Sequence, residues 1–230
     1  KFAAYPCRLS DIEEEYRPTV MWDEANAVKV DHTIRRETQF PDGPKQLILS
    51  GPHFFVGNPL NKTPRAICTE KSHYDVINLE TLPTDYIPRT NYVPDCTPAE
   101  YRNRTPSVGW DAEKKVTDFY RFVSRRMLPP PNERTLAAAI APKGVGHIDG
   151  AFSITFRENK DLIGFLACSI ALPCDFYIKV TGKTNFREEL AHSLPRIEGK
   201  YHGAFSRTLA LNCLTTHYGD LWSECWDETF

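Results

Sequence analysis

The sequence has no uninterrupted apolar stretch that approaches the ~20 residues of a membrane-spanning helix. Its longest apolar run, residues 162–172, is interrupted by Gly164 and Ser169 and flanked by Asp161 and Asp175. We therefore expect this run to be a buried element in a protein with no membrane partner. The N-terminus also lacks the basic-then-apolar order of a signal peptide.

Paired cysteines are missing as well. The seven cysteines are dispersed, odd in number and form no Cys-x-x-Cys pair, whereas small disulfide scaffolds cluster their cysteines. This usage favours free thiols in a reducing compartment, and we expect a cytoplasmic protein. The nearest Cys and His pairs lack the tight spacing of a structural zinc site, so we predict no metal. These pairs are Cys68 and His73, Cys168 and Cys174, and Cys213 and His217.

Sequence signatures of catalysis are absent too. No Gly-x-Ser-x-Gly motif occurs, and no cysteine stands out beside a partner histidine. The glycine-containing loop at 143–147 leads into another strand, whereas a dinucleotide site needs a helix N-terminus at that point. We therefore predict no catalytic residue and no cofactor in this chain. An apolar cleft holding His147, His192 or His217 would instead favour a hydrolase.

The composition that is present is typical of a globular protein. The chain has 230 residues, of which 41% are hydrophobic and 25% charged, enough for one large domain or two small ones. Lys1 in place of Met, with only 2 Met in all, predicts a processed chain or an excised fragment.

Charge is segregated along the chain although the net charge is only -2. Residues 11–24 carry six acids and one base, and residues 114–143 carry seven bases and two acids. A one-sided electrostatic footprint produces such asymmetry, as does a solvated helix face balanced by neighbouring acids.

Composition also predicts two regions. Residues 1–46 form an acidic N-terminal segment, which we expect to dock to a domain missing from this chain, and residues 47–230 form the main domain. Within the main domain, residues 47–110 hold eight of the 18 prolines. Proline fixes φ and removes a backbone donor, so this part predicts short edge strands and ordered loops.

Periodicity predicts the remaining elements. Residues 111–127 indicate a helix, because Asp111 can cap it and apolar residues recur at helical spacing up to Met127. Strands are predicted at 135–141 and 151–157, and helices at 162–172, 187–194 and 205–217. Residues 175–181 fit a strand or a continued helix. The expected class is α+β, with a mixed, mostly antiparallel sheet, several packed helices and a proline-rich region of loops and short strands.

Residues 120–195 carry short motifs in a definite order. The motifs are Arg121-Phe122-Val123-Ser124-Arg125-Arg126, Asn132-Glu133-Arg134-Thr135-Leu136, the run Leu162 to Ser169, Asp175-Phe176-Tyr177, and a closing Leu194-Pro195. This order resembles the TaqI-like target-recognition domain of adenine-N6 DNA methyltransferases from restriction-modification and phage-defence systems. The resemblance covers about 75 residues, one third of the chain.

The chain also departs from that family. Ser169 is followed by residues 170–173, where the family usually runs directly into an aromatic-containing turn. Residues 47–110 lie outside the match, and the resemblance implies that they are the variable part that reads bases. Asn58-Pro59 resembles the start of the catalytic Asn-Pro-Pro-Tyr loop of these enzymes. Leu60 and Asn61 replace its last two residues, so we do not interpret this segment as a catalytic loop.

The resemblance and the charge pattern together predict which residues contact DNA. Cations bind phosphates, and polar side chains read base edges. The predicted phosphate contacts are Arg121, Arg125, Arg126, Arg134 and Lys143, followed by a second group of Lys179, Lys183 and Arg187. Arg134 lies inside the matched strand motif, where a structural role is an equal alternative. His147, Arg89 and Asn91 are base-reading candidates.

The sequence therefore predicts a DNA-binding specificity domain that contacts duplex DNA and selects the target site. The resemblance implies that S-adenosylmethionine and methyl transfer belong to a catalytic methyltransferase domain of the same parent chain. The alternative is a protein-interaction domain of a large defence enzyme that touches no DNA. Salt-dependent binding to duplex DNA separates the two.

Overall fold

The computed structural model describes residues 5–70, 72–197 and 202–228. It confirms the predicted α+β class, with mostly antiparallel pairing and helices packed on the largest sheet. The strands are β1 (Tyr16–Thr19), β2 (Ile34–Gln39), β3 (Ile48–Leu49), β4 (Lys62–Pro64), β5 (Tyr74–Val76), β6 (Thr90–Pro94), β7 (Arg121–Arg125), β8 (Ala138–Ala141), β9 (Gly146–His147) and β10 (Ala151–Phe156). The helices are α1 (Glu24–Lys29), α2 (Pro98–Arg104), α3 (Asn159–Ser169), α4 (Leu172–Val180), α5 (Glu188–His192), α6 (His202–Asn212) and α7 (Gly219–Cys225).

Four antiparallel strands form the central sheet in the order β1-β10-β7-β8. In β10, Phe152, Ile154 and Phe156 alternate with smaller residues, which puts the three large side chains on one face. That face packs against the helices in the main hydrophobic core. On the opposite face, Val123 and Ala139 pack against residues around β3 and β9. Because both faces are covered, every residue of β10 is buried.

Helix α3 lies at the centre of the helical layer. All eight residues from Leu162 to Ser169 are buried, which confirms the buried element predicted there. Residues 175–181, which fitted either a strand or a helix, belong almost entirely to helix α4. Among the described residues, no single helix has the length and apolar character needed to cross a membrane; α3 and α4 reach that length only as a pair bent by 68°.

The proline-rich region contains the predicted short strands and loops, and it also contains helix α2 and two 3-10 helices that were not predicted. Strand β3 pairs with β9 in parallel, while β2 pairs with β6 and β4 with β5 in antiparallel ladders. Strand β9 includes Gly146 and His147 of the predicted loop. The proline-rich region therefore packs against the face of the central sheet that lies away from the helices.

The predicted helix over 111–127 is wrong. Residues 116–118 form a single 3-10 turn, and β7 begins at Arg121 in the middle of the central sheet. Closely spaced apolar residues at 119–123 suit a helical stripe, but they also suit a strand that is covered on both faces. Pairing with β10 on one side and β8 on the other satisfies the β7 backbone, and such distant partners are invisible in a local pattern.

The predicted boundary at residue 46 also needs correction. Strand β1 is an edge strand of the central sheet, where Tyr16 pairs with Phe156 and Thr19 with Ser153. Leu9 is buried in the main core. The described part of the acidic segment is therefore built into the fold, because its apolar residues complete a core that the rest of the chain leaves open. Residues 1–4 of the segment lie outside the described part.

Candidate nucleic-acid interface

Arg121 points into the protein because it lies on β7, a central strand of a sheet that is covered on both faces. Its side chain is fully buried, and its guanidinium donates to the Val145 carbonyl and, at 3.3 Å, to the Met21 sulfur. Burial lowers the pKa of Arg121 to about 10, so the group stays cationic at neutral pH. A phosphate cannot reach it, and the prediction that Arg121 contacts DNA is corrected.

His147 is buried in the same layer. Its Nε2 lies 2.8 Å from Ser153 Oγ and its Nδ1 lies 2.9 Å from the Ile148 carbonyl oxygen. Burial and the positive charge of Arg121 lower the pKa of His147 to about 3. The base-reading prediction for His147 is therefore corrected. Asn91 is also buried, and its side-chain amide donates to the Tyr74 hydroxyl.

The neutral buried histidines predict a pH dependence of stability. Burial lowers the pKa of His53 as it does that of His147, whereas both titrate near 6.5 in an unfolded chain. Below about pH 6.5 the unfolded state takes up protons that the folded state excludes. We expect the free energy of unfolding to fall as the pH drops, by up to ~1.4 kcal/mol per pH unit for each histidine.

Urea unfolding between about pH 7 and pH 5 measures this slope. A His147→Gln variant should show a shallower slope than the wild type. The His53→Gln variant should have the same effect, because His53 is also fully buried. An unchanged slope in His147→Gln would contradict the assignment.

Arg134 makes structural contacts within the protein. It donates to the Ile170 carbonyl at 2.7 Å and lies 3.6 Å from the Asp175 carboxylate. The same buried carboxylate accepts the backbone N–H groups of Thr135, at 2.9 Å, and Leu136, at 2.8 Å. The matched motif at 132–136 therefore links the segment that leads into β8 to helix α4, and the structural alternative accounts for Arg134.

Lys143 lies apart from the other predicted cations. Its ammonium is 3.0 Å from the Asp220 carboxylate and 4.9 Å above the centre of the Tyr120 ring. These contacts place it beside α7. The structure therefore does not bring Lys143 together with the second basic group.

Two loops that lie side by side at the end of β7 bring the remaining cations together. Met127 and Asn185 form an antiparallel bridge, and the Phe186 N–H donates to the Arg126 carbonyl at 2.7 Å. Gly182 turns the chain between α4 and this pairing with a φ of +67°, which only glycine adopts readily. The exposed or half-buried side chains here, which we call the basic edge, are Arg126, Met127, Lys179, Lys183, Asn185 and Arg187.

Two cations of the basic edge, Lys183 and Arg187, are available to an anion. Arg187 is exposed. Lys183 lies 3.0 Å from Glu189 in a pair whose side chains are 51% and 82% exposed. Such exposed pairs are worth at most about 1 kcal/mol, so a phosphate can replace the carboxylate. Arg126, half-buried, is held 2.9 Å from Asp149.

Helix α4 carries an apolar stripe that the sequence reasoning missed. Leu172, Phe176 and Val180 are 69%, 68% and 62% exposed and recur at intervals of four residues, while Cys174 and Ile178 on the other side are buried. The sequence shows that the residues of α4 are mostly apolar. It does not show which side of the helix is covered by the rest of the protein, because both sides carry apolar residues.

The hydrolase interpretation finds little support in the described residues. The apolar cavity that His217 lines holds about 20 Å³, room for about one water molecule, whereas ligand pockets measure roughly 300–1,000 Å³. Ser50 Oγ lies 3.0 Å from His53 Nδ1, but that nitrogen also accepts the Ser50 N–H, and both residues are buried in one 3-10 turn. No group of three or more metal-ligating side chains occurs in the described part of the chain.

Comparison of the chain with protein-family models and with curated proteins finds no match. The proposed function therefore depends on the residues and their geometry.

Proposed function

We propose that this chain is the DNA target-recognition domain of a larger adenine-N6 DNA methyltransferase of a restriction-modification or phage-defence system. The observation that carries the proposal is the basic edge, where Arg126, which directly follows β7, and the cations of α4 and the 181–187 loop lie around the half-buried Asn185. Cations neutralise phosphates and fix the register on the duplex. Asn185 is the residue suited to a base edge, because an amide pairs with both adenine N6 and N7.

This proposal gives the chain no catalytic step. The loop at 143–147 leads into strands β9 and β10, so it lacks the helix N-terminus that a glycine-rich cofactor loop requires. S-adenosylmethionine binding and methyl transfer belong to a catalytic domain of the parent enzyme, which is the second proposed partner. Six of the seven cysteines, namely Cys68, Cys96, Cys168, Cys174, Cys213 and Cys225, form no disulfide in the described structure. Such thiols are typical of a reducing compartment, and we propose that the protein acts in the cytoplasm.

Removing three cations of the basic edge should weaken DNA binding. We expect the triple variant Lys179→Ala, Lys183→Ala, Arg187→Ala to bind duplex DNA at least about tenfold less tightly at 0.1 M salt. The slope of log affinity against log salt should become shallower by about 3, one unit for each lost phosphate contact. Fluorescence anisotropy across a salt series measures both quantities.

The matched control removes three exposed lysines elsewhere. Lys29, Lys45 and Lys114 are exposed and lie outside the basic edge, and their replacement by alanine changes the net charge by the same amount. The control variant should keep the wild-type salt slope. Equal losses in both variants would mean that net charge, rather than the basic edge, governs binding.

A protein-interaction domain is the second candidate, and one observation favours it. The exposed stripe of Leu172, Phe176 and Val180 on α4 is the kind of apolar surface that partner proteins cover. The absence of wild-type binding to duplex DNA at low salt would favour this function over the first.

A further inference from the structure

Phe55 lies exposed on a rigid turn of the proline-rich region. The Phe55 N–H donates to the Asn58 carbonyl at 2.8 Å, and the Gly57 N–H donates to the Ala138 carbonyl on β8 at 2.8 Å. Gly57 has a φ of +66°, and a Cβ there would lie 3.3 Å from Ile170. The turn is therefore fixed to the central sheet, yet 37% of Phe55 remains exposed.

Arg125 holds its guanidinium over the Phe55 ring. The distance from Cζ to the ring centre is 5.2 Å. Nε donates to the Gly51 carbonyl and Nη2 to the Phe54 carbonyl, each at 2.8 Å. Two fixed hydrogen bonds orient the guanidinium before any ligand binds, which reduces the entropy lost on binding.

This pair lies next to the basic edge. Arg125 is the last residue of β7 and directly precedes Arg126 and Met127. DNA that covers this end of β7 would meet both the basic edge and the Phe55 ring. An exposed aromatic ring backed by a cation can stack on any nucleobase, because every base presents a π face.

We infer that Phe55, oriented by Arg125, stacks on an unstacked nucleobase of the bound DNA. This inference rests on the proposed function and assigns it a base-contacting residue. The face of a base is available only when the base leaves the helical stack, and unstacking costs least at a mismatch. The protein should therefore bind a duplex with one central mismatch more tightly than the fully paired duplex.

Binding of the full chain to both duplexes tests the inference. Phe55→Leu should bind the mismatched duplex roughly 5- to 100-fold less tightly than the wild type, the range expected for the loss of one base–aromatic stack. Its affinity for the paired duplex and its salt slope should remain close to those of the wild type. Phe55→Tyr keeps an aromatic ring and should retain the preference, and thermal unfolding confirms that each variant is folded.

Phe40→Leu is the matched control. Phe40 is 52% exposed and carries the Arg89 guanidinium 4.2 Å above its ring. Arg89 donates to the Pro64 carbonyl on β4, whereas the arginine over Phe55 belongs to β7. Phe40→Leu should keep the mismatch preference. If Phe55→Leu binds the mismatched duplex as tightly as the wild type does, the inference is overturned. The proposed function still stands in that case, provided that the triple variant of Lys179, Lys183 and Arg187 loses salt-dependent binding to duplex DNA. Absence of wild-type binding to either duplex overturns both.

Discussion

Replacing Asp175 with alanine is expected to lower the free energy of unfolding by about 3–5 kcal/mol. The Asp175 carboxylate is buried and accepts the backbone N–H groups of Thr135 and Leu136. It also lies 3.6 Å from the Arg134 guanidinium. Alanine would leave two buried donors and a largely buried cation without their acceptor, and each orphaned group costs free energy because water cannot replace the lost partner.

Chemical denaturation of two further variants separates this effect from simple loss of charge. Asp175→Asn keeps one acceptor oxygen and should cost less than Asp175→Ala. Glu189→Ala removes an exposed carboxylate that pairs with Lys183, and it should change stability by less than about 1 kcal/mol. If Asp175→Ala lowered the free energy of unfolding by less than about 1 kcal/mol, the contacts of Asp175 with Arg134, Thr135 and Leu136 would contribute little to stability.

Adding a methyl group at Gly146 is the second large expected effect. A Cβ on Gly146 would lie 2.5 Å from the Tyr101 hydroxyl oxygen and 3.4 Å from Trp22 Nε1. Both rings are buried, and their polar atoms hydrogen-bond each other at 2.9 Å, so neither can move away freely. We expect Gly146→Ala to cost about 2–3 kcal/mol through overpacking, measured by thermal or urea unfolding.

A double-mutant cycle identifies the cause. Tyr101→Phe removes the hydroxyl that Cβ would meet, so Gly146→Ala should cost less in that background than in the wild type. Gly43→Ala is the matched control, because no atom lies within 4 Å of a Cβ built there. An equal cost of Gly146→Ala in both backgrounds would rule out the clash with Tyr101.

Sequence and tertiary structure determine the basic edge in different ways. The sequence places Lys183 in a polar stretch and Arg187 at the start of a predicted helix, where charge favours exposure, and the structure keeps both exposed. It does not place them beside Arg126, because that proximity depends on the pairing of Met127 with Asn185, residues far apart in the chain. Phe55 was missed for the same reason, since its exposure follows from how the turn docks on β8.

The sequence by itself determined the elements whose pattern is local. Strand β10 is evident from the alternation of its phenylalanines with small residues, and α3 from a long apolar run between acidic ends. Only the tertiary structure decided β7, because an apolar stretch covered on both faces has no diagnostic period. Because residues 121–125 form a central strand, Arg121 is buried, and Arg126 lies half-buried just beyond the end of the strand. Whether an arginine is buried in structural contacts or exposed to solvent depends on residues that are distant in the sequence and become its neighbours only in the folded protein.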